Sequence, residues 1–267
     1  MPTSLEEIIA QKHLELKPRL RRVRDEELAR FASFPRISFR RAISASAPGI
    51  IGEIKRRSPS AGAICDDADP VEYARNYVNA GIDAISVLTD QTFFGGDIQD
   101  LCEVTDFLRH HQRAVPVLRK DFTVHPLQIL EAAEAGASAI LLIAAALNRD
   151  TLLELYRCAE LAGLDAIFEV HNQTELDLVL SCEPRIVGVN NRNLHTFSVD
   201  LSTSEALIPL IPDDIVSIAE SGIFTDSDLQ RVAASGARAI LVGEALMRSP
   251  DPEAWTSTAR ECWSLSA

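Results

Sequence analysis

From about residue 49 onward the chain alternates two patterns. Short continuous apolar runs, rich in β-branched residues, lie at 50–54, 84–88, 117–119, 139–143, 165–169, 186–189, 215–219 and 239–242. Each ends in a polar or charged residue and gives way to a stretch of helical periodicity. Continuous apolar runs alternating with helices predict parallel strands buried on both faces. The helical stretches 70–81, 126–136, 151–163 and 226–236 all stop at glycine, and the first two open on proline. Three of these endings recur almost as a phrase, AGIDAI at 80–85, AGASAI at 135–140 and SGARAI at 235–240. Eight such units over residues 49–267 predict an α/β protein of the (β/α)8 TIM-barrel class. An open doubly wound sheet is the rival, but it would carry a Gly-rich first turn that is missing here.

Residues 1–48 fall outside the repeat and are expected to form an N-terminal helical extension, leaving 49–267 as the barrel. The extension holds ten basic and six acidic residues, a net of +4, so the remainder of a chain whose total is −13 carries −17. A basic extension packing on an acidic barrel is the expectation; a solvated helix face is the simpler alternative. The negative balance argues against nucleic acid as a partner. The longest apolar stretch, 139–147, is too short to span a bilayer, and the N-terminus lacks a signal-peptide core. No membrane partner and a cytoplasmic location are therefore expected. Cysteines at 65, 102, 158, 182 and 262 show no CxxC spacing and read as buried or half-buried thiols. With no HExxH, Walker A or GxGxxG motif, neither a metal nor a nucleotide cofactor is expected.

In a barrel the carboxyl ends of the strands converge on one face. Those ends carry Glu53-Ile54-Lys55, Thr89-Asp90, Arg119-Lys120-Asp121, Glu169-Val170-His171, Asn190-Asn191-Arg192, Glu220-Ser221-Gly222 and Gly243-Glu244. Period-two geometry points Glu53 and Lys55 to the same side of the first strand, which is inward. Each of Glu53, Lys55, Lys120 and Glu169 taken alone fits a structural ion pair. Four at four neighbouring positions instead suggest an active site, because buried charges are costly unless paired or functional. Ser221-Gly222 and Gly243-Glu244 suggest a phosphate site, where glycine lets backbone N–H groups approach the anion. Phe94 and Phe122 stand beside the charges, as lid packing or as a wall for an aromatic ligand.

These phrases resemble the indole-3-glycerol phosphate synthase family of tryptophan biosynthesis. The likeness rests on IGEIKRRSPSAG at 51–62, LTDQTFFGGD at 88–97, PVLRKDF at 116–122, LLIAAAL at 141–147, FEVHNQTEL at 168–176, IVGVNNRNL at 186–194, AESGI at 219–223 and ILVGEALM at 240–247. The resemblance implies a carboxy-lyase that needs no cofactor. It would close the ring of 1-(2-carboxyphenylamino)-1-deoxyribulose 5-phosphate, with loss of CO2 and water. It implies Lys120 as general acid, with its pKa lowered by a partly desolvated pocket, and Glu169 as general base. Lys55 would be a second proton donor or anion contact, with Glu53 and Asn190 orienting these groups. By the same resemblance Arg192 suits the anthranilate carboxylate, and Ser58, Pro59, Phe94, Phe122, Leu141 and Leu194 line the substrate pocket. Ser221, Gly222 and Gly243 would hold the phosphate. Glu244 stands where the family often has a small residue, and its carboxylate is expected to point away. Partners implied are the phosphorylated small molecule and, left open, other enzymes of the tryptophan pathway. A sugar-phosphate isomerase, a non-catalytic phosphate-binding barrel and a Schiff-base aldolase using Lys120 are the rival readings.

Overall fold

The computed structural model describes residues 4–59, 62–194 and 196–265, and in it eight parallel strands close into a barrel. In chain order these are β1 (Gly49–Ile54), β2 (Ala84–Leu88), β3 (Val117–Lys120), β4 (Ala139–Ile143), β5 (Asp165–Val170), β6 (Ile186–Asn190), β7 (Val216–Glu220) and β8 (Ala239–Val242). Each strand pairs with its sequence neighbours, and β8 returns to β1 through Ile50 opposite Ile240 and Gly52 opposite Val242. The predicted runs match these strands to within about one residue. The difference has a pattern: β3, β6 and β7 continue past the apolar run to include Lys120, Asn190 and Glu220. Ladder hydrogen bonding therefore holds the polar residue that ends each run, and its side chain stands on a rigid element.

The helices are α1 (Leu5–Leu16), α2 (Asp25–Ala29) and α3 (Phe39–Ser44) ahead of the barrel, then α4 (Pro70–Asn79), α5 (Gln91–Phe94), α6 (Ile98–Arg109), α7 (Pro126–Glu134), α8 (Arg149–Leu161), α9 (Gln173–Leu180), α10 (Ser202–Leu207), α11 (Asp226–Ala234), α12 (Glu244–Met247) and α13 (Pro252–Ser264). The repeated helix endings put Gly81, Gly136 and Gly236 at φ between 81° and 86°, the left-handed turn that leads into β2, β4 and β8. Helix α8 starts at Arg149, earlier than its apolar pattern, because Asn148 caps it by accepting from the Thr151 N–H.

Alternation along the strands builds two cores. Outward side chains such as Ile50, Ile85, Leu142, Phe168 and Ile240 pack under the helices. Inward ones form a column inside the barrel, with Ile51, Leu118, Ile167 and Ile218 each two residues before Glu53, Lys120, Glu169 and Glu220. The period of two thus stacks a charge on an apolar side chain on each odd-numbered strand. Phe39 and Ile43 of α3, just before β1, join the column, as do Leu5 and Ile8 of α1. Cys158, Cys182 and Cys262 are buried and Cys65 and Cys102 half-buried.

The segment ahead of β1 is tied down by charge. Lys12 is 5% exposed and reaches Asp90 at 2.8 Å, Asp121 at 3.0 Å and Glu15 at 3.1 Å. Arg19 pairs with Glu131, Arg30 with Glu134, and Asp25 receives both terminal nitrogens of Arg157. These last pairs are largely exposed and contribute little each, whereas Lys12 and the two aspartates it reaches are buried.

Candidate active site

One pocket, of about 1090 Å³ including its open mouth, occupies the carboxyl end of the barrel. It is bordered by every residue to which the resemblance gives a catalytic or binding role: Glu53, Lys55, Ser58, Pro59, Phe94, Lys120, Phe122, Leu141, Glu169, Asn190, Arg192, Leu194, Ser221, Gly222 and Gly243. Of the first loop phrase, Ser60 and Ala61 lie outside the described residues.

The charged groups meet at its base. Lys120 Nζ donates to Glu169 Oε2 at 2.8 Å and to Glu220 Oε2 at 3.2 Å. Asn190 Nδ2 donates to the other oxygen of Glu169 at 3.2 Å, while its own Oδ1 accepts the Arg192 backbone N–H at 3.0 Å. Lys55 pairs with Glu53, whose backbone carbonyl accepts from the buried Tyr77 hydroxyl at 3.1 Å. Gly243 presses on this pair, since a Cβ there would come within 2.6 Å of Glu53 Oε1.

Electrostatics here correct one expectation. Burial alone would lower the Lys120 pKa, as the sequence reading holds. Glu169, then Glu220 and Glu53, outweigh burial, and the ammonium is held above its ordinary value. Glu169 shows the converse: burial opposes its charge, but Lys120 and then His171 keep it below the usual carboxylate range. Glu220 is pushed up to about 7, by burial first and by Glu169 across the site, against the pull of Lys120. Two buried carboxylates sharing one ammonium are thereby driven apart, a pattern typical of acid–base sites.

Apolar walls stand above the charges. The Phe94 and Phe122 rings lie 5.9 Å apart at a tilt of 39°, with Leu141, Ile143 and Leu194 nearby. On the opposite side Ser221 and Gly222 follow β7 with successive positive φ of 67° and 84°. A Cβ on Gly222 would meet Val199 Cγ1 at 2.4 Å, so this turn admits only glycine. Glu244 opens the single-turn helix α12, and its carboxylate is engaged by Arg248 at 3.1 Å.

Three contributions escape the sequence assignment. Glu220 reaches Lys120 by the same two-residue step that places Glu53, yet the sequence assigns chemistry only to the residues after it. His171 sits behind Glu169. Leu5 and Ile8 of α1 border the pocket from outside the barrel repeat, and nothing in their local sequence marks them as pocket residues.

Residues 5–258 match the family described as indole-3-glycerol phosphate synthase. An indole-3-glycerol phosphate synthase of Opitutus terrae is 53% identical over 258 residues, covering 95% of this chain and 97% of that one. A multifunctional tryptophan biosynthesis protein of Schizosaccharomyces pombe is 40% identical over 233 residues, 87% of this chain and 30% of its own length. Among solved structures, 3-hexulose-6-phosphate synthase from Salmonella typhimurium aligns with a TM-score of 0.61 at 11% identity, over 82% of this chain and all of that one. At that identity the likeness carries the barrel fold alone.

Proposed function

Since the chain belongs to the indole-3-glycerol phosphate synthase family, carboxy-lyases of tryptophan biosynthesis, we propose that this site converts 1-(2-carboxyphenylamino)-1-deoxyribulose 5-phosphate to indole-3-glycerol phosphate. Lys120 is the general acid that protonates the ketose oxygen as the ring carbon bearing the carboxylate attacks the carbonyl carbon. The new C–C bond forms and the C–CO2 bond then breaks, returning its electron pair to the ring. Glu169 takes the proton removed in the final step as the hydroxyl leaves as water, with Lys55 donating to that leaving group. Glu53 and Asn190 hold these side chains in place. Arg192 faces the anthranilate carboxylate, Ser58 and Pro59 border it, and Phe94, Phe122, Leu141 and Leu194 enclose the ring. The turn Ser221-Gly222 and Gly243 receive the phosphate through backbone N–H groups.

The observation that supports this reading best is the ammonium of Lys120 shared by Glu169 and Glu220 at the floor of a pocket with an aromatic wall on one side and a glycine-bearing turn on the other. It also disfavours a Schiff-base aldolase, for which Lys120 would have to be a neutral amine. The direct test adds the anthranilate-ribulose phosphate to purified protein and follows indole absorbance and fluorescence. Steady formation of indole product is expected, and its absence at stoichiometric protein overturns the reading.

Gly222→Asp probes the phosphate end. Its carboxylate would repel the phosphate and its Cβ would displace the turn from Val199. An increase in KM of about 10- to 100-fold is expected, with a smaller change in kcat, because this contact holds ground and transition states alike. A KM equal to that of the unaltered protein would remove the turn from the binding site. Action in the cytoplasm beside other enzymes of the pathway completes the reading. The multifunctional relative supports the association with pathway enzymes, and among the described residues no helix is long and apolar enough to cross a membrane.

A further inference from the structure

Glu169 is 1% exposed, so its charge depends on nearby cations. Lys120 is one of them, at 2.8 Å. A proton donor must turn toward the substrate oxygen, however, and in doing so Lys120 loosens its hold on Glu169. The other charged groups around the pair are Glu220 on β7, Glu53 with Lys55 on β1, and Glu175 on α9. Of the cations, Lys55 and Lys120 both border the pocket, where substrate competes for them.

His171 is placed differently. It follows Glu169 by two residues, at the end of β5, and is not part of the pocket wall. Its Nε2 lies 3.4 Å from Glu169 Oε1, close enough to pair but not aligned as a hydrogen bond, and this buried nitrogen has no other partner. On the far side of the ring Nδ1 is 3.1 Å from Glu175 Oε2, and the His171 backbone N–H donates to the same oxygen at 2.8 Å. Glu175 is fixed in turn: its Oε1 accepts from Asn172 Nδ2 at 2.6 Å and its N–H donates to Asn172 Oδ1 at 2.9 Å. The ring thus lies between two carboxylates, one anchored to α9 and one facing the site.

We propose that His171 is a positioning residue, the imidazolium that holds Glu169 ionised and oriented after Lys120 has turned to the substrate. The proposal rests on Glu169 being the base. Burial opposes the charge on the ring, but Glu169 and Glu175 outweigh it and raise the His171 pKa to about 9, so the cation is present at neutral pH. Its unaligned Nε2 leaves a donor to spare, available to tighten on Glu169 when the ammonium departs.

The test compares His171→Leu, His171→Gln, Glu175→Gln and Glu169→Gln in the indole assay from about pH 3 to about pH 9, a window that reaches below the ordinary carboxylate range where Glu169 is held. His171→Leu is expected to lower kcat about tenfold, with KM within about twofold, and to move the acid limb of kcat up by about one pH unit. The sign follows from the loss of a positive charge, which makes the carboxylate easier to protonate. His171→Gln, which keeps a donor but no charge, should retain more kcat than His171→Leu. Glu175→Gln should move the limb in the same direction by less. Should His171→Leu not fold, these two carry the test. An unmoved acid limb with full kcat, whatever the melting temperature, overturns the proposal and leaves His171 a structural residue. A change confined to KM overturns it too. If instead Glu169→Gln turns over like the unaltered protein, the assignment of the base itself fails.

Discussion

Lys120→Ala is expected to lower turnover by about 10³- to 10⁴-fold, roughly 4–5 kcal/mol of barrier, the scale on which a positioned proton donor acts. Substrate affinity should change much less, because the phosphate turn, Arg192 and the aromatic wall are untouched. The loss has two sources. On the proposed roles the proton for the ketose oxygen is gone, and Glu169 and Glu220, both buried, are left facing one another without the ammonium that lowers both their pKa values. Glu220, already pushed up to about 7, takes up a proton, while Glu169 keeps His171 but loses the ammonium that orients it, so the base is misplaced as the acid is lost. Glu169→Gln should therefore cost about as much, and the double variant little more than either single one, since groups acting as a unit are not additive. Rapid-quench measurement of a single turnover checks this directly. Near-normal rates in either variant would remove these residues from the chemistry.

Lys12→Met is expected to produce the largest loss of stability, about 3 kcal/mol, the lower end of the range for breaking a buried ion pair by deleting one partner. The side chain is nearly inaccessible, and its pKa stays above the ordinary value because Asp121 and then Asp90 outweigh burial. Asp121 retains Arg119 at 2.9 Å after the change, while Asp90 loses its ion-pair partner. The melting temperature should fall by roughly 6–12 °C, from about 2–4 °C per kcal/mol in a domain of this size. Acid should narrow the difference. Against burial, Arg119 and then Lys12 pull the Asp121 pKa down to about 2, so the stability this group adds is complete above its ordinary pKa and is lost as the pH falls through about 2. Thermal melts at neutral and acid pH read both effects, and equal melting temperatures at neutral pH would show that α1 is not held by this lysine.

Periodicity was enough to set out the barrel, because a strand buried on both faces has to be apolar along its length and the helix between two strands has to end in a turn. The same alternation placed Glu53, Lys55, Lys120 and Glu169 at one rim, where the structure has them. Glu220 obeys the identical step from Ile218, but Ser221 and Gly222 beside it offer a complete account of that stretch as a phosphate turn. The direction of the Lys120 shift was hidden for a different reason. Desolvation follows from a strand-end position, whereas the number of carboxylates facing the amine depends on how far around the barrel Glu169, Glu220 and Glu53 come. Leu5 and Ile8 were hidden most deeply, since the interior cluster they join includes Phe122, Leu141 and Ile143, more than a hundred residues along the chain.

Leu5 and Ile8 belong at once to that interior cluster and to the pocket wall. Swinging α1 aside would wet the top of the apolar column and strip Lys12 from Asp90 and Asp121 in the same movement. That side of the molecule is therefore a fixed canopy over the pocket, whose border also takes in Phe197 and the exposed Phe224.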